Sequence, residues 1–128
     1  MATYREVLTF EVTTAGSAGS AVGTAAAQPV PTGLSGYITQ VEAVYNGGAP
    51  ATMDFSLIEI RGDDSEGTVA TISDNNTNLR FTPSVELYDA SGSGLGAYAN
   101  YHATGSLRID VAQSDALGTA ITVYVKLV

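Results

Sequence analysis

Few side chains of this sequence have the type and spacing to do chemistry. His102 is the single histidine and sits in the run YANYHATG. A nucleophilic triad or a histidine metal site needs partners near it in space, and none is announced by spacing. The chain has no Cys and no second His, so zinc chemistry lacks a ligand set, and His102 reads as a structural or surface residue. Asp63, Asp64 and Glu66, in GDDSEG, could offer oxygens to a calcium ion. Their spacing departs from the D-x-[DN]-x-[DN]-G loop of an EF-hand, and a solvated turn between strands is the simpler reading. Asp74, Asn75 and Asn78 are read the same way. Tyr98 and Tyr101 are the one local aromatic pair, of a kind that can stack on a sugar; cross-strand packing or a subunit contact is the plainer role. The glycines of SGSGLG, Ser91 to Gly96, precede no helix and so make no phosphate cradle. A carboxylate pair for glycoside hydrolysis is assembled in space, and spacing does not decide it. No catalytic, cofactor-binding or metal-ligating residue is assigned, no cofactor is expected, and the chain is read as a non-enzyme.

The elements that would carry these residues are strands. The closing run alternates cleanly: Ile121, Val123, Val125 and Leu127 point one way, and Thr122, Tyr124 and Lys126 the other. In Tyr4 to Thr14, Leu8, Phe10 and Val12 share one face. The stretch from Ala15 to Gly36 is poor in large side chains; a loop followed by a short strand near Ser20 to Ala27 is expected. Its small side chains would let another backbone approach closely. Gly36 to Tyr45 places Tyr37, Thr39, Val41, Ala43 and Tyr45 on one face, and Ile38, Gln40, Glu42 and Val44 on the other. Asn46-Gly47-Gly48 supplies a turn into Ala51 to Arg61, so these two strands are expected to form a hairpin. Within Ala51 to Arg61 the apolar parity switches at Leu57-Ile58, which predicts a bulge or burial on both faces. Thr68 to Ile72 follows the acidic turn. Leu79 to Tyr88 contains Pro83 and reads as an edge strand or a bulged one. Ala90 to Gly96 is expected as a loop, followed by strands at Ala97 to Ala103, Gly105 to Val111 and Gly118 to Val128. Eight or nine short strands with regular turn signals predict an all-β, single-domain antiparallel β-sandwich, jelly-roll-like, over 1–128.

Composition narrows the partners. The 128 residues suffice for one domain with a core of its own. The absence of Cys excludes disulfides and thiol catalysis. A net charge of −8 repels phosphate backbones and anionic lipid, so neither nucleic acid nor membrane is an expected partner. Only 14% of residues are charged, and Gly, Ala, Ser and Thr take up the difference. A surface so short of Lys suits a protein whose faces are partly covered by neighbours. The opening residues lead straight into a strand pattern with no apolar secretory stretch, and use of the Asn75-Asn76-Thr77 sequon is not expected.

A family resemblance sharpens the reading. Its carriers are Leu79-Arg80-Phe81-Thr82-Pro83, Leu87-Tyr88-Asp89-Ala90-Ser91-Gly92, Gly105-Ser106-Leu107-Arg108-Ile109-Asp110-Val111 and Ala120-Ile121-Thr122-Val123-Tyr124-Val125. In these runs the C-terminal half resembles small structural proteins of tailed bacteriophages. The resemblance implies a capsid decoration, or cement, protein on the outside of the virion, with a jelly-roll-like sandwich. It implies a homotrimer that clamps the major capsid protein and is made in the bacterial host cytoplasm. It carries over no catalytic residue. In that setting 15–36 is the expected loop or arm toward the shell or a sister subunit, and deleting Ala15 to Ala26 is expected to cost attachment more than stability. The alternatives are another phage component (a head fibre base, a head–tail connector or a tail protein) and a carbohydrate-binding or adhesion sandwich. The last predicts an exposed aromatic patch at Tyr98 and Tyr101.

Overall fold

A computed structural model describes residues 5–128. The first residues, with Tyr4 of the expected opening strand, lie outside it. Among the described residues all regular structure is β. In chain order the strands are β1 (Glu6–Val12), β2 (Ala21–Pro29), β3 (Ile38–Tyr45), β4 (Asp54–Ile60), β5 (Glu66–Ile72), β6 (Leu79–Phe81), β7 (Ser84–Tyr88), β8 (Gly94–Asn100), β9 (Ser106–Ser114) and β10 (Ile121–Leu127). One sheet has the order β1-β10-β3-β6, a second the order β2-β9-β4-β5, and β7-β8 form a separate pair. Every pairing is antiparallel.

Setting β7 and β8 aside leaves eight strands, in which the first pairs with the last, the second with the seventh, the third with the sixth and the fourth with the fifth. A long hairpin with that nesting, rolled over on itself, is a jelly roll. β7 and β8 are an insertion between its sixth and seventh strands. The core lies between the two sheets. Phe10, Val12, Val41, Val123 and Val125 from one face Phe55, Leu57, Leu107 and Ile109 from the other, all at most 1% exposed.

The closing strand has the expected faces: Ile121, Val123, Val125 and Leu127 are fully buried. β3 departs from its expected parity at one end. Its pairing with β10 slips between Lys126 and Leu127, skipping Thr39, whose Oγ1 donates to the Lys126 carbonyl oxygen at 3.1 Å. The slip turns Ile38 inward, where it is fully buried. The parity switch in β4 has both expected features. Val69 of β5 is passed over between the pairs Leu57–Ala70 and Ile58–Thr68, which is a bulge. Ile58 itself lies opposite Arg108 on the outer face yet is only 9% exposed, so β4 is covered on both sides. The inward position next to it is held by a carboxylate, Glu59.

Two expectations are corrected. β3 and β4 do not form a hairpin, because they belong to different sheets and the Asn46–Met53 connection crosses from one to the other. Leu79 to Tyr88 is two strands and not one, since Pro83 ends the ladder with β3 and β7 pairs only with β8. The 15–36 segment carries the short strand expected near Ser20 to Ala27. Residues 21–29 form β2, paired with β9, with Ala21 and Ala25 buried. Its small residues are needed where the sandwich pinches shut: a Cβ on Gly23 would strike the Thr13 carbonyl oxygen, and Gln28 Nε2 donates to the Thr9 carbonyl oxygen at 2.7 Å. Deleting Ala15 to Ala26 would therefore remove most of a core-lining strand.

Candidate functional site: a hairpin arm

The β7–β8 hairpin begins where Pro83 stops β6, since a proline offers no N–H to continue a ladder. Its turn is built by Asp89. Oδ1 of Asp89 accepts from Ser91 N (2.9 Å), Ser91 Oγ (2.7 Å) and Ser93 N (3.0 Å), and Gly92 takes φ of 86°. An Asp followed by a glycine in the left-handed region is standard hairpin chemistry. These hydrogen bonds, led by Ser91, hold the Asp89 carboxyl below its ordinary pKa. A bulge follows, because β8 supplies extra residues between the pairs Glu86–Tyr98 and Tyr88–Gly94. Gly96, at φ 67°, makes the kink, and its N–H donates to Glu86 Oε1 at 3.2 Å. The Glu86 carboxylate lies across Gly94, where a Cβ would push that flexible side chain aside.

Alternation gives the hairpin two unlike faces. Val85 pairs with Ala99, so Val85, Leu87, Ala97 and Ala99 share one apolar face, and Leu95 lies in the bulge beside the Gly96 kink. Glu86, Tyr88 and Tyr98 share the other. Neither face rests on the sandwich. Val85 is 44% exposed, Leu87 42%, Leu95 57%, Tyr88 60% and Tyr98 65%. A two-stranded hairpin is marginal in water by itself, and one with an uncovered apolar face more so.

The base of the arm is firmly held. Tyr101 N donates to the Pro83 carbonyl oxygen at 2.9 Å, closing the hairpin at its root. Just beyond, Glu59 of β4 anchors the chain to the core. Only 3% exposed, it accepts from Tyr101 Oη (2.7 Å), Thr104 N (2.7 Å) and Gly105 N (3.3 Å), with Arg61 Nε at 4.0 Å. Burial opposes its ionisation, but the three hydrogen bonds and the Arg61 charge outweigh it and hold the carboxyl below the ordinary value. Burial and the same hydrogen bond raise the Tyr101 phenol. Gly105 allows this approach, since a Cβ there would meet the Ile60 carbonyl oxygen.

The residues singled out by type scatter. His102 is exposed; its ring stacks on Tyr37 at 4.4 Å and 17°, and Nε2 donates to the Ser35 carbonyl oxygen at 2.5 Å. Tyr98 and Tyr101 form no joint patch, because Tyr101 turns to Glu59 while Tyr98 faces solvent on the arm. Asp63 is occupied by Ser65, whose N and Oγ donate to Oδ1 at 3.1 and 2.6 Å. Glu66 makes a two-pronged ion pair with Arg108, at 2.9 and 3.0 Å, and Arg108 also grips Asp110. Its hydrogen bonds to Glu66 and Asp110 raise the Arg108 pKa, and the guanidinium lowers that of Glu66. Among the described residues no three acidic, His or Cys side chains gather as a metal site. At the far end of β6, Glu42, Ala43, Val44, Asn78, Leu79 and Arg80 line a groove of about 330 Å³. Arg80 Nε donates to Glu42 there at 2.7 Å.

Val85, Leu87 and Glu59 were not distinguishable in sequence as a bare face and its anchor. Only Pro83 and the SGSGLG run signalled that the ladder breaks there.

No family model and no curated protein matches the chain. Two solved structures resemble its fold: a mutant of a family 29 carbohydrate-binding module, CBM29-2, and another mutant of it complexed with cellulohexaose. Each is 14% identical and aligns over 95% of this chain, covering 77% and 76% of the other chains, with TM-scores of 0.39 and 0.38. At these values the likeness decides nothing about what this chain binds. The class of protein rests on its own geometry: an all-β jelly-roll sandwich with an inserted hairpin arm.

Proposed function

We propose that the chain is a non-catalytic structural module that attaches to a larger protein assembly through the β7–β8 arm. Decoration of a bacteriophage capsid, on the major capsid protein, is the form of that role the sequence resemblance implies. One observation carries the reading: a hairpin with exposed large apolar side chains, Val85, Leu87 and Leu95, stands off a sandwich whose core lies between its own two sheets. Exposed apolar surface concentrated on one projecting element marks a protein contact more than a reaction site. The buried carboxylate, Glu59, is consumed in holding the arm's base and has no open face for a substrate.

The test is co-sedimentation of the purified protein with empty phage heads. The native chain is expected to pellet with the shells, and the pair Leu87→Asp and Leu95→Asp to stay in solution. Failure of the native chain to bind shells would overturn the reading. A second reading, carbohydrate binding, is favoured by the exposed rings of Tyr88 and Tyr98 on the arm's other face. Glycan binding that disappears with Tyr98→Ala, while shells are ignored, would establish it instead.

A further inference from the structure

We infer that the tyrosine face of the arm is a binding site for a cationic side chain, an arginine guanidinium, presented by the protein to which the arm attaches. The inference rests on the proposed role of the arm and names the chemistry of what it meets. An arm inserted into a partner is covered on both faces, and the face that bears Glu86 needs a different complement from the apolar one.

The site is three side chains on one face. Tyr98 lies directly across the ladder from Glu86, and Tyr88 follows Glu86 by two residues along β7. The carboxylate therefore stands between two rings, about 5 Å from one and about 7 Å from the other, Cβ to Cβ. Tyr88 and Tyr98 are 60% and 65% exposed, and neither stacks on another ring among the described residues. Gly94, across from Tyr88, adds no side chain to the face. Glu86 is half-buried, and the Gly96 N–H on Oε1 fixes its carboxylate over Gly94. Among the described residues nothing donates to its Oε2.

What the face lacks is a cation. Among the described residues Glu42, Glu59, Glu66 and Asp110 each have an arginine within 4.0 Å, and Glu86 has none. No Lys or Arg occurs in 82–101. A carboxylate partly withdrawn from water thus stands between two open aromatic faces. Both groups attract positive charge, the ring through its quadrupole. A guanidinium suits the pair better than an ammonium does. Its plane lies on a ring while its N–H groups point outward in that plane, where a carboxylate beside the ring accepts them. The net charge of −8 draws such a group in. A neutral sugar would use the rings and leave the carboxylate without a counter-charge.

An NMR titration of the purified full chain, with its tyrosine ring signals assigned, tests this. The probe is a short blocked peptide with one central Arg, set against the same peptide with citrulline, which keeps the shape and loses the charge. The Arg peptide is expected to shift the ring signals of Tyr88 and Tyr98. It should half-saturate at a concentration at least about tenfold lower than the citrulline peptide, and bind more weakly as salt is added. Glu86→Gln keeps an acceptor for the Gly96 N–H and is expected to lose about tenfold in affinity; Tyr98→Leu keeps an apolar side chain and is expected to lose about threefold. An unchanged melting curve checks that each variant is folded. Equal binding of the two peptides, or a Glu86→Gln chain that binds as the native one does, would overturn the inference. Phage heads separate it from the proposed function. Heads that hold the native chain and Glu86→Gln equally well would sink the cation site and spare that function; an Arg peptide that binds at Tyr88 and Tyr98 of a chain that ignores heads would do the reverse.

Discussion

β10 and the β7–β8 arm carry the same local code and meet opposite fates. In β10, Ile121, Val123, Val125 and Leu127 alternate with polar residues and are fully buried. In the arm, Val85 and Leu87 alternate with Glu86 and Tyr88, and Leu95 with its glycine neighbours, yet these apolar side chains are 42–57% exposed. The difference is supplied from outside the strand: β10 lies between β1 and β3 with a second sheet over its inner face, whereas β7 and β8 have only each other. Burial of a side chain such as Val or Leu contributes about 1.5–3 kcal/mol, and the arm leaves that contribution unmade. An apolar stripe is therefore a statement about a covering surface, which the chain provides for β10 and does not provide for the arm.

Three substitutions test this contrast. The largest effect is expected in the sandwich. Phe55→Ala removes a ring that is 1% exposed and packs edge-on to Tyr45 at 6.2 Å, and it should cost about 3–5 kcal/mol in urea or thermal unfolding. A loss below about 1 kcal/mol would mean the core is not where the two sheets place it.

Glu59 joins the two regions, and its effect should come next. Glu59→Gln keeps the shape but gives up a charged acceptor of three hydrogen bonds, a loss of about 1.5–3 kcal/mol. The sign with pH follows from the direction of the shift. A carboxyl whose folded pKa lies below its unfolded value stabilises fully above the unfolded value, near 4.5, and loses that contribution as pH falls through the folded one. Denaturation midpoints of the native chain should therefore drop as pH falls below about 4.5, and the drop should be shallower in Glu59→Gln. Parallel curves for the two proteins would remove Glu59 from its role. Asp63, Glu66 and Asp89 are also lowered and act in the same direction, so the native slope will not vanish entirely in the variant.

The smallest effect on stability is expected in the arm. Tyr98→Ala should change the unfolding free energy by no more than about 0.5 kcal/mol, as for an exposed site without a special contact. A loss of several kcal/mol would show that the arm's Tyr face rests on something within the molecule, and would erase the contrast with β10.

Much of the fold was legible because burial in a two-sheet sandwich imposes period 2 on each strand. Leu8, Phe10 and Val12 in β1 and the alternate residues of β10 declare their faces without help. The misreadings have particular causes. Ile38 was placed on the wrong face because a skipped residue, Thr39, shifts the register against β10, and a bulge leaves no mark on side-chain type. The Asn46-Gly47-Gly48 turn looked like a hairpin turn because its φ preferences are the same whether the chain returns beside itself or crosses to the opposite sheet. Tyr98 and Tyr101 seemed a pair by proximity in sequence; the hairpin's root falls between them and separates their surroundings. Glu59 was passed over because an acidic residue between two isoleucines resembles a solvent-facing position.

The amino-acid sequence by itself determined the class: local alternation, turn chemistry at Asp89 and Gly92, and the absence of Cys fix short antiparallel strands around a disulfide-free core, since these depend on neighbours within a few residues. Which strands share a sheet, which apolar face stays bare, and which carboxylate is drawn inside were decided only by tertiary structure. Those outcomes depend on contacts between residues far apart in the chain, such as Glu59 with Tyr101 and β1 with β10, and the energy of such a contact is not written in either partner alone.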